Sequence, residues 1–130
     1  MDGFDVNAAA TAQALKQREQ WLDRKVAVVG IGIAGYACAD ALLQRGAAVS
    51  IFDSAAGPAQ RERAAILELL GATVVLGRPP VVDPDCELVV VSPGVPPASP
   101  VIVDALARGV TVWGELELAW ALRGDEPLAA

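Results

Sequence analysis

Three glycines placed directly after a short apolar run constrain the fold of this chain more than any other feature. Gly30, Gly32 and Gly35 have the spacing G-x-G-x-x-G, and the apolar run at residues 26–29 is too short for a helix. Such a run is typical of a parallel strand that is buried on both faces. The first glycine then permits a sharp turn, the second lets phosphates approach the backbone, and the third lets a helix pack closely on the strand. We therefore expect a side chain at Gly32 to clash with a ligand and with the helix packing together.

The residues after the glycines complete a unit of strand, turn, helix and strand. We predict a helix over residues 34–45 that ends at Gly46, and a second strand over residues 49–52. Asp53 follows this strand about twenty residues beyond the turn, where a dinucleotide-binding fold has an acid that accepts a hydrogen bond from its ligand. Two alternatives stay open: Asp53 caps the following loop, or the glycine turn binds no ligand.

The remainder of the chain repeats this alternation of short strands and helices. We predict further strands at residues 73–76, 87–91 and 110–112, and further helices at residues 59–70, 100–108 and 114–122. The alternation predicts an α/β fold, a single Rossmann-like domain with a five-stranded parallel sheet and helices on both faces. Right-handed crossovers bring the C-terminal ends of parallel strands to one edge of the sheet, so the loops at 30–35, 53–57 and 92–97 are expected to gather there.

Helical spacing also predicts which sides of the later helices are apolar. In the helix over residues 59–70, the apolar positions are Ala64, Ile66, Leu67 and Leu70. In the next helix, Ser99 and Pro100 have the composition of an N-cap followed by an N1 proline. The apolar positions after this start are Ile102, Val103, Leu106 and Ala107.

Amino-acid composition excludes several classes of protein. A chain of 130 residues with 54% hydrophobic residues fits one domain with a proper core. The net charge of -6 and the lack of a basic cluster argue against a nucleic-acid partner, and the longest uncharged run, residues 26–39, is too short to cross a membrane. With no histidine and only Cys38 and Cys86, we expect no metal site and no histidine-based catalytic triad. The N-terminus does not have the pattern of a signal peptide, so we expect a cytoplasmic protein. We also expect the protein to be a monomer.

A second compact turn follows the fourth predicted strand. It consists of Ser92, Pro93 and Gly94, in which proline stiffens the turn and glycine keeps the backbone bare. At the sheet edge we interpret this turn as a second wall of a phosphate or sugar site. The chain has no G-x-x-x-x-G-K-[ST] motif, which excludes a P-loop ATP site on it. It also has no constellation for acid–base or nucleophilic catalysis, so we predict no catalytic residues here.

These motifs together resemble the N-terminal domain of the Mur ligase family. The resemblance covers about residues 25–122 and is carried by residues 28–35, 52–54, 91–95 and 112–118. It implies a domain that holds the UDP part of UDP-N-acetylmuramoyl-L-alanine. It also implies an ADP-forming amide ligase of peptidoglycan precursor synthesis, in which a P-loop domain holds ATP and Mg2+ and a third domain brings D-glutamate.

The resemblance further implies a division of the chain and a limit on its activity. We expect an N-terminal helical arm at residues 1–22, the UDP-substrate-binding domain at 23–124, and a linker at 125–130 towards missing central and C-terminal domains. No cofactor is expected on this piece, because ATP and Mg2+ belong to the other domains. The piece alone is therefore expected to be inactive.

The resemblance also assigns roles to individual residues. Ile33 and Ala34 would touch the pyrophosphate and uridine, Asp53 and Ser54 the uracil, and Gly94 the phosphates or the sugar. The whole predicted substrate site consists of Gly32, Ile33, Ala34, Gly35, Asp53, Ser54, Ser92, Pro93 and Gly94.

Two positions depart from the family's pattern, and two other functions stay open. Ala34 stands where members often have a hydroxyl, and Ala55 stands where some have an arginine, so Arg61 and Arg78 are candidate replacement cations. One alternative is the NAD(P)-binding domain of a dehydrogenase or a regulatory sensor, because Asp53 fits a ribose diol equally well. The other is an interaction module that binds no nucleotide.

Overall fold

The apolar run before the glycines forms the central strand of a parallel sheet. The computed structural model describes residues 20–123. The strands are β1 (Lys25–Val29), β2 (Ala48–Asp53), β3 (Thr73–Leu76), β4 (Leu88–Val91) and β5 (Thr111–Gly114). The helices are α1 (Ile33–Gln44), α2 (Pro58–Leu69), α3 (Pro100–Ala107) and α4 (Glu115–Arg123). The predicted α/β fold is confirmed, and each boundary lies within two residues of its prediction.

The order of the strands creates a crevice beside the glycine turn. The order is β3-β2-β1-β4-β5, and every neighbouring pair is parallel. The first three strands therefore extend the sheet from β1 through β2 to β3. The chain then returns past β1 and adds β4 and β5 on the other side of β1. Ligands of open parallel sheets bind at such a reversal, outside the carboxyl ends of the strands. Here the reversal lies between β1, which leads into the glycine turn, and β4, which leads into the Ser92 turn.

The sheet is covered on both faces, which explains why its central strands are apolar throughout. On one face, Val26 and Val28 pack in a cluster with buried residues of α1, α2 and α4. On the other face, Ala27 and Val29 pack in a second cluster with buried residues of α3. Alternate residues of a strand point to opposite faces, so both sets must be apolar when both faces are covered.

The predicted apolar sides of α2 and α3 are only partly correct. Ala64 and Leu67 of α2 are buried, whereas Ile66 and Leu70 are 42% and 52% exposed. Ile66 lies about 200° around the helix from Ala64, so the two cannot face the same sheet. On α3 the buried residues are Val101, Ile102 and Ala105, and the expected Val103, Leu106 and Ala107 are exposed.

The structure confirms the predicted end of α1 and start of α3, with one difference in the capping of α3. Gly46 has a φ of 82°, as expected of a glycine just after a helix. Ser99 is the N-cap of α3 and Pro100 follows it in the first turn, as predicted. The Ser99 side chain nevertheless makes no capping hydrogen bond within the described residues.

Both predicted extensions of the domain lie mainly outside the described residues. Of the helical arm over 1–22, the structure describes only its end, where Trp21 is buried in the same cluster as α1 and α4. The linker over 125–130 lies outside them entirely. None of the helices within residues 20–123 combines the length and apolar character that crossing a membrane requires.

Candidate functional site

The first and third glycines of the turn are required by the fold itself. Gly30 has a φ of 105°, a conformation that favours glycine, and its N–H donates a 2.7 Å hydrogen bond to the carbonyl of Phe52. A Cβ on Gly35 would collide with the carbonyl oxygen of Gly30. Gly35 is buried, and its lack of a side chain lets α1 pack directly on the end of β1, as predicted.

The second glycine is different, because the space that a side chain would occupy at this position is open. No described heavy atom lies within 4 Å of a Cβ placed on Gly32, so the expected clash with the helix is wrong. Gly32 is the N-cap of α1, and its carbonyl accepts a 2.8 Å hydrogen bond from the Tyr36 N–H. The N–H groups of the turn before Tyr36 have no partner within the helix. Exposed N–H groups at a helix N-terminus are the usual site for an anion.

The carboxylate of Asp53 is bonded to the glycine turn and to its own loop. Its Oδ2 accepts a 2.9 Å hydrogen bond from the Ile31 N–H, and its Oδ1 accepts another of 2.9 Å from the Ala55 N–H. The capping role that the sequence left open is thus present. Each carboxylate oxygen accepts more than one hydrogen bond, and Asp53 is only partly buried, so a ligand donor can still be accommodated.

A cleft of about 280 Å³ opens at the carboxyl edge of the sheet. Its floor contains the ends of β1 and β2, including Asp53 and Ser54, and its walls are the Pro79–Pro80 loop and the segment from Gly94 to Val101. A Cβ on Gly94 would have no described heavy atom within 4 Å, so the backbone there is bare. Three of the predicted site residues, Asp53, Ser54 and Gly94, therefore line one cleft.

The Ser92 turn lies beside the glycine turn, and its first two residues face a second cleft. The Ser92 N–H donates a 3.1 Å hydrogen bond to the Val29 carbonyl, and its Cβ lies 2.8 Å from where a Cβ on Gly30 would sit. Ser92 and Pro93 line a shallow cleft of about 550 Å³ whose other wall is the start of α4. The two turns are therefore adjacent, as predicted, and the residues of the Ser92 turn divide between the two clefts.

Glu115, at the start of α4, is the titratable group of this second cleft whose environment is most unusual. Its Oε1 is buried without a hydrogen-bond partner within the described residues. Burial raises the pKa of the carboxyl above its usual value of 4.5. The carboxylate of Glu115 is therefore held in an unfavourable environment.

The remaining predicted site residues lie on an exposed rim. Ile33 is 80% exposed and Ala34 is also exposed, and neither lines the two clefts. They form the first turn of α1 next to Gly32. The structure thus divides the predicted set into the cleft residues, the exposed start of α1, and the buried Gly35.

Sequence reasoning missed one cation that contacts the glycine turn. Arg63 of α2 is partly buried, and its Nη1 donates a 3.3 Å hydrogen bond to the Ile31 carbonyl. Of the two cations that were expected, Arg61 donates from Nε to the Ala56 carbonyl at 2.9 Å and Arg78 is exposed after β3. A signal was present, because Arg63 lies four residues before the fully buried Leu67 and so on the inward side of α2.

The two cysteines have the environment of structural thiols. Cys38 is half-buried and Cys86 is buried, and neither forms a disulfide. Burial raises the pKa of both thiols, and the negative charge of Glu115 adds to the effect on Cys38. Thiols with raised pKa values are poor nucleophiles, so these side chains serve packing.

Comparison with known proteins shows which family this arrangement represents. Residues 24–114 match the family model described as Mur ligase MurD-like, N-terminal domain. The chain is 51% identical over 104 residues to a protein of Frankia casuarinae, covering 80% of this chain and 22% of the relative. It is 47% identical over 100 residues to a protein of Thermobifida fusca, covering 77% of this chain and 22% of the relative. Both relatives are named UDP-N-acetylmuramoylalanine–D-glutamate ligase.

A third relative with the same name, from Myxococcus xanthus, is 44% identical over 106 residues, which is 81% of this chain and 23% of the relative. The chain therefore spans less than a quarter of the length of these curated relatives. Among solved structures, an imine reductase from Myxococcus stipitatus in complex with NADP+ aligns with a TM-score of 0.46 and 15% identity over 69% of this chain and 39% of that chain. A likeness at this level says nothing about the ligand of this domain.

The family match begins at Arg24, next to β1, and ends at Gly114, the last residue of β5. It includes the whole sheet, the glycine turn and the Ser92 turn. The chain therefore belongs to the Mur ligase MurD-like family, to its N-terminal domain.

Proposed function

We propose that this domain holds the UDP part of UDP-N-acetylmuramoyl-L-alanine for a ligase that adds D-glutamate during peptidoglycan precursor synthesis. The observation that carries the proposal is the family match over the entire sheet, together with 51% identity to a relative that has this ligase name. The open backbone at Gly32 and the cleft at the carboxyl edge support it, because a nucleotide needs both a phosphate contact and room for its base.

In this proposal the phosphates bind at the start of α1. The N–H groups around Gly32, Ile33 and Ala34 receive the diphosphate, since the helix N-terminus carries partial positive charge and no side chain of Gly32 blocks the approach. Gly35 contributes by letting α1 come close to β1. These contacts do not depend on a side-chain hydroxyl at Ala34.

The base and sugar occupy the cleft in the same proposal. Asp53 and Ser54 read the uracil through their side-chain oxygens, and Gly94 allows the sugar or phosphate to approach its bare backbone. Ser92 and Pro93 hold this second turn against the first one. The carboxylate of Asp53 is suited to accept the imide N–H of uracil, for which it is a charged acceptor.

The chemical steps of the ligase belong to other domains in our proposal. The reaction activates the substrate carboxylate as an acyl phosphate, which the amine of D-glutamate attacks, and it uses ATP and Mg2+. Within residues 20–123 no group of three or more His, Cys, Asp and Glu side chains is arranged to hold a metal ion. We propose that this chain alone binds substrate as a monomer and does not turn it over.

The test is a calorimetric titration of the 130-residue chain with UDP-N-acetylmuramoyl-L-alanine, with NADH and ATP as control ligands. Gly32→Val is expected to lower the affinity roughly tenfold or more, because its isopropyl group would fill the space of the phosphates. The matched control is Ala107→Val, an exposed position at the end of α3.

Each outcome decides between the functions. Binding of the uridine compound alone, lost in Gly32→Val and kept in Ala107→Val, supports the proposal. Binding of NADH instead favours the dehydrogenase-type alternative, which is supported by the position of Asp53 at the end of β2. Equal affinity of the two variants would contradict the placement of the phosphates.

A further inference from the structure

Arg63 is a charged side chain on a buried side of a helix. It lies four residues before Leu67, which is fully buried against the sheet, and is itself partly buried. Side chains of a helix are tilted towards its N-terminus, and α2 begins at the carboxyl edge of the sheet. The guanidinium thus reaches the glycine turn, where Nη1 lies 3.3 Å from the Ile31 carbonyl oxygen.

The residue that Arg63 contacts is held from two sides. The Ile31 N–H donates to Asp53 Oδ2 at 2.9 Å, the Ile31 carbonyl accepts from Arg63, and the Ile31 side chain is fully buried. One carboxylate and one guanidinium therefore fix the conformation of the turn. No other arginine contact described for this chain is made to the glycine turn.

The bond from Arg63 also orients the next N–H group along the chain. The Ile31 carbonyl and the Gly32 N–H belong to one planar trans peptide, in which C=O and N–H point in opposite directions. A donor that holds the carbonyl on one side directs the Gly32 N–H to the other side. Gly32 is the N-cap of α1, so this N–H lies at the helix end that receives anions.

The charge of Arg63 matters because the chain as a whole is acidic. The chain has a net charge of -6, and Asp53 places a carboxylate at the turn. A helix N-terminus offers only about half a positive charge, whereas a nucleoside diphosphate carries more than one negative charge. A guanidinium stays protonated, so Arg63 places a full positive charge on the side of the Ile31–Gly32 peptide opposite to the one that the Gly32 N–H faces.

We infer that Arg63 is a positioning residue of the nucleotide site, which orients the Ile31–Gly32 peptide towards the diphosphate and places a positive charge behind that peptide. This inference rests on the proposed function, since it names a residue of the same site. It also explains how the domain can lack the arginine that some family members have at position 55.

The experiment measures the affinity of the 130-residue chain for UDP by calorimetry at low and at high salt. Arg63→Gln is expected to weaken binding roughly tenfold or more at low salt, and the loss should shrink at high salt because screening weakens the charge contribution. Arg63→Lys should recover part of the loss, since it keeps the charge but not the planar fork. Arg24→Gln, an exposed arginine before β1 at the opposite edge of the sheet, is the control and should bind as the unchanged chain does.

The outcomes separate this inference from the proposed function. If the unchanged chain binds no UDP, the proposed function fails and the inference fails with it. If the unchanged chain binds UDP and Arg63→Gln binds within about twofold, or loses the same factor at both salt concentrations, only the role of Arg63 is overturned. If Arg63→Gln does not fold, the comparison is made with Arg63→Lys instead. An affinity of Arg63→Lys equal to that of Arg24→Gln at every salt concentration contradicts the need for a guanidinium.

Discussion

At the residue scale, the carboxylate of Asp53 joins the end of β2 to the glycine turn. It accepts one N–H from Ile31 and one from Ala55, so it shapes both the glycine turn and the loop that follows β2. A substitution at Asp53 would therefore alter both the turn and the proposed uracil contact. For this reason Gly32, whose surroundings are empty, is the cleaner position at which to test binding.

Glu115 provides a prediction for stability as a function of pH. Its folded-state pKa is raised by burial, so between the usual value of 4.5 and the folded value the folded chain binds more protons than the unfolded chain. The free energy of unfolding should therefore fall as pH rises through this window and stay lower above it. In Glu115→Gln this loss should be absent, which urea denaturation at about pH 4 and about pH 7 can measure.

The control for this measurement is Glu117→Gln. Glu117 is an exposed acid in the same first turn of α4, so its replacement accounts for the loss of an acidic residue near the helix N-terminus. If Glu115→Gln and the unchanged chain lose the same stability between the two pH values, the burial of the Glu115 carboxyl has no effect on folding.

At the scale of elements, the contact between β1 and α1 depends on one missing side chain. The Gly30 carbonyl occupies the place that a Cβ on Gly35 would need, so strand and helix meet backbone to backbone. The three glycines of one motif therefore do not share one structural role. Two of them shape the turn and the packing, and only Gly32 leaves its surroundings open.

This difference predicts that the same substitution, glycine to alanine, lowers the free energy of unfolding much more at Gly35 than at Gly32. Gly35→Ala should lower the free energy of unfolding by about 1–3 kcal/mol or more, because α1 must move away from β1. Gly32→Ala should change it by less than about 1 kcal/mol, because its methyl group meets no described atom. Guanidinium denaturation of both variants measures the difference, and equal losses would show that the two positions are packed alike.

At the scale of the whole molecule, α4 is part of the domain although it lies beyond the matched family region. The match ends at Gly114, and α4 begins at Glu115. Leu118 is nevertheless fully buried in the cluster that contains Trp21 and the inner residues of α1 and α2. The first and last described segments therefore meet on the same face of the sheet.

Replacing this contact should destabilise the entire domain. Leu118→Ala is expected to cost about 2–5 kcal/mol, the range for a large buried side chain truncated to alanine. Leu116→Ala, in the same helix but 73% exposed, is the control and should change stability by less than about 0.5 kcal/mol. Thermal and chemical unfolding of both variants is the measurement. An unchanged Leu118→Ala variant would mean that α4 is dispensable for folding.

Local chemistry made much of the fold and site predictable from sequence. A strand that is apolar at every position, a glycine with positive φ after a helix, and a proline at a helix start each depend on a few neighbouring residues. The sequence therefore predicted the nature of each element in residues 25–123 and the two turns at the sheet edge. The faces of α2 and α3 were predicted less well, because several apolar residues of each helix compete for one buried side and only packing selects among them.

The sequence by itself determined the parallel α/β fold, the roles of Gly30 and Gly35, and the family of the chain, since local backbone requirements and residue spacing are properties of the chain itself. The tertiary structure alone decided the order β3-β2-β1-β4-β5, the division of the Ser92 turn between two clefts, and the contact of Arg63 with Ile31. Those features join residues that are tens of positions apart, and only the packing of helices on the finished sheet brings their side chains within hydrogen-bonding distance.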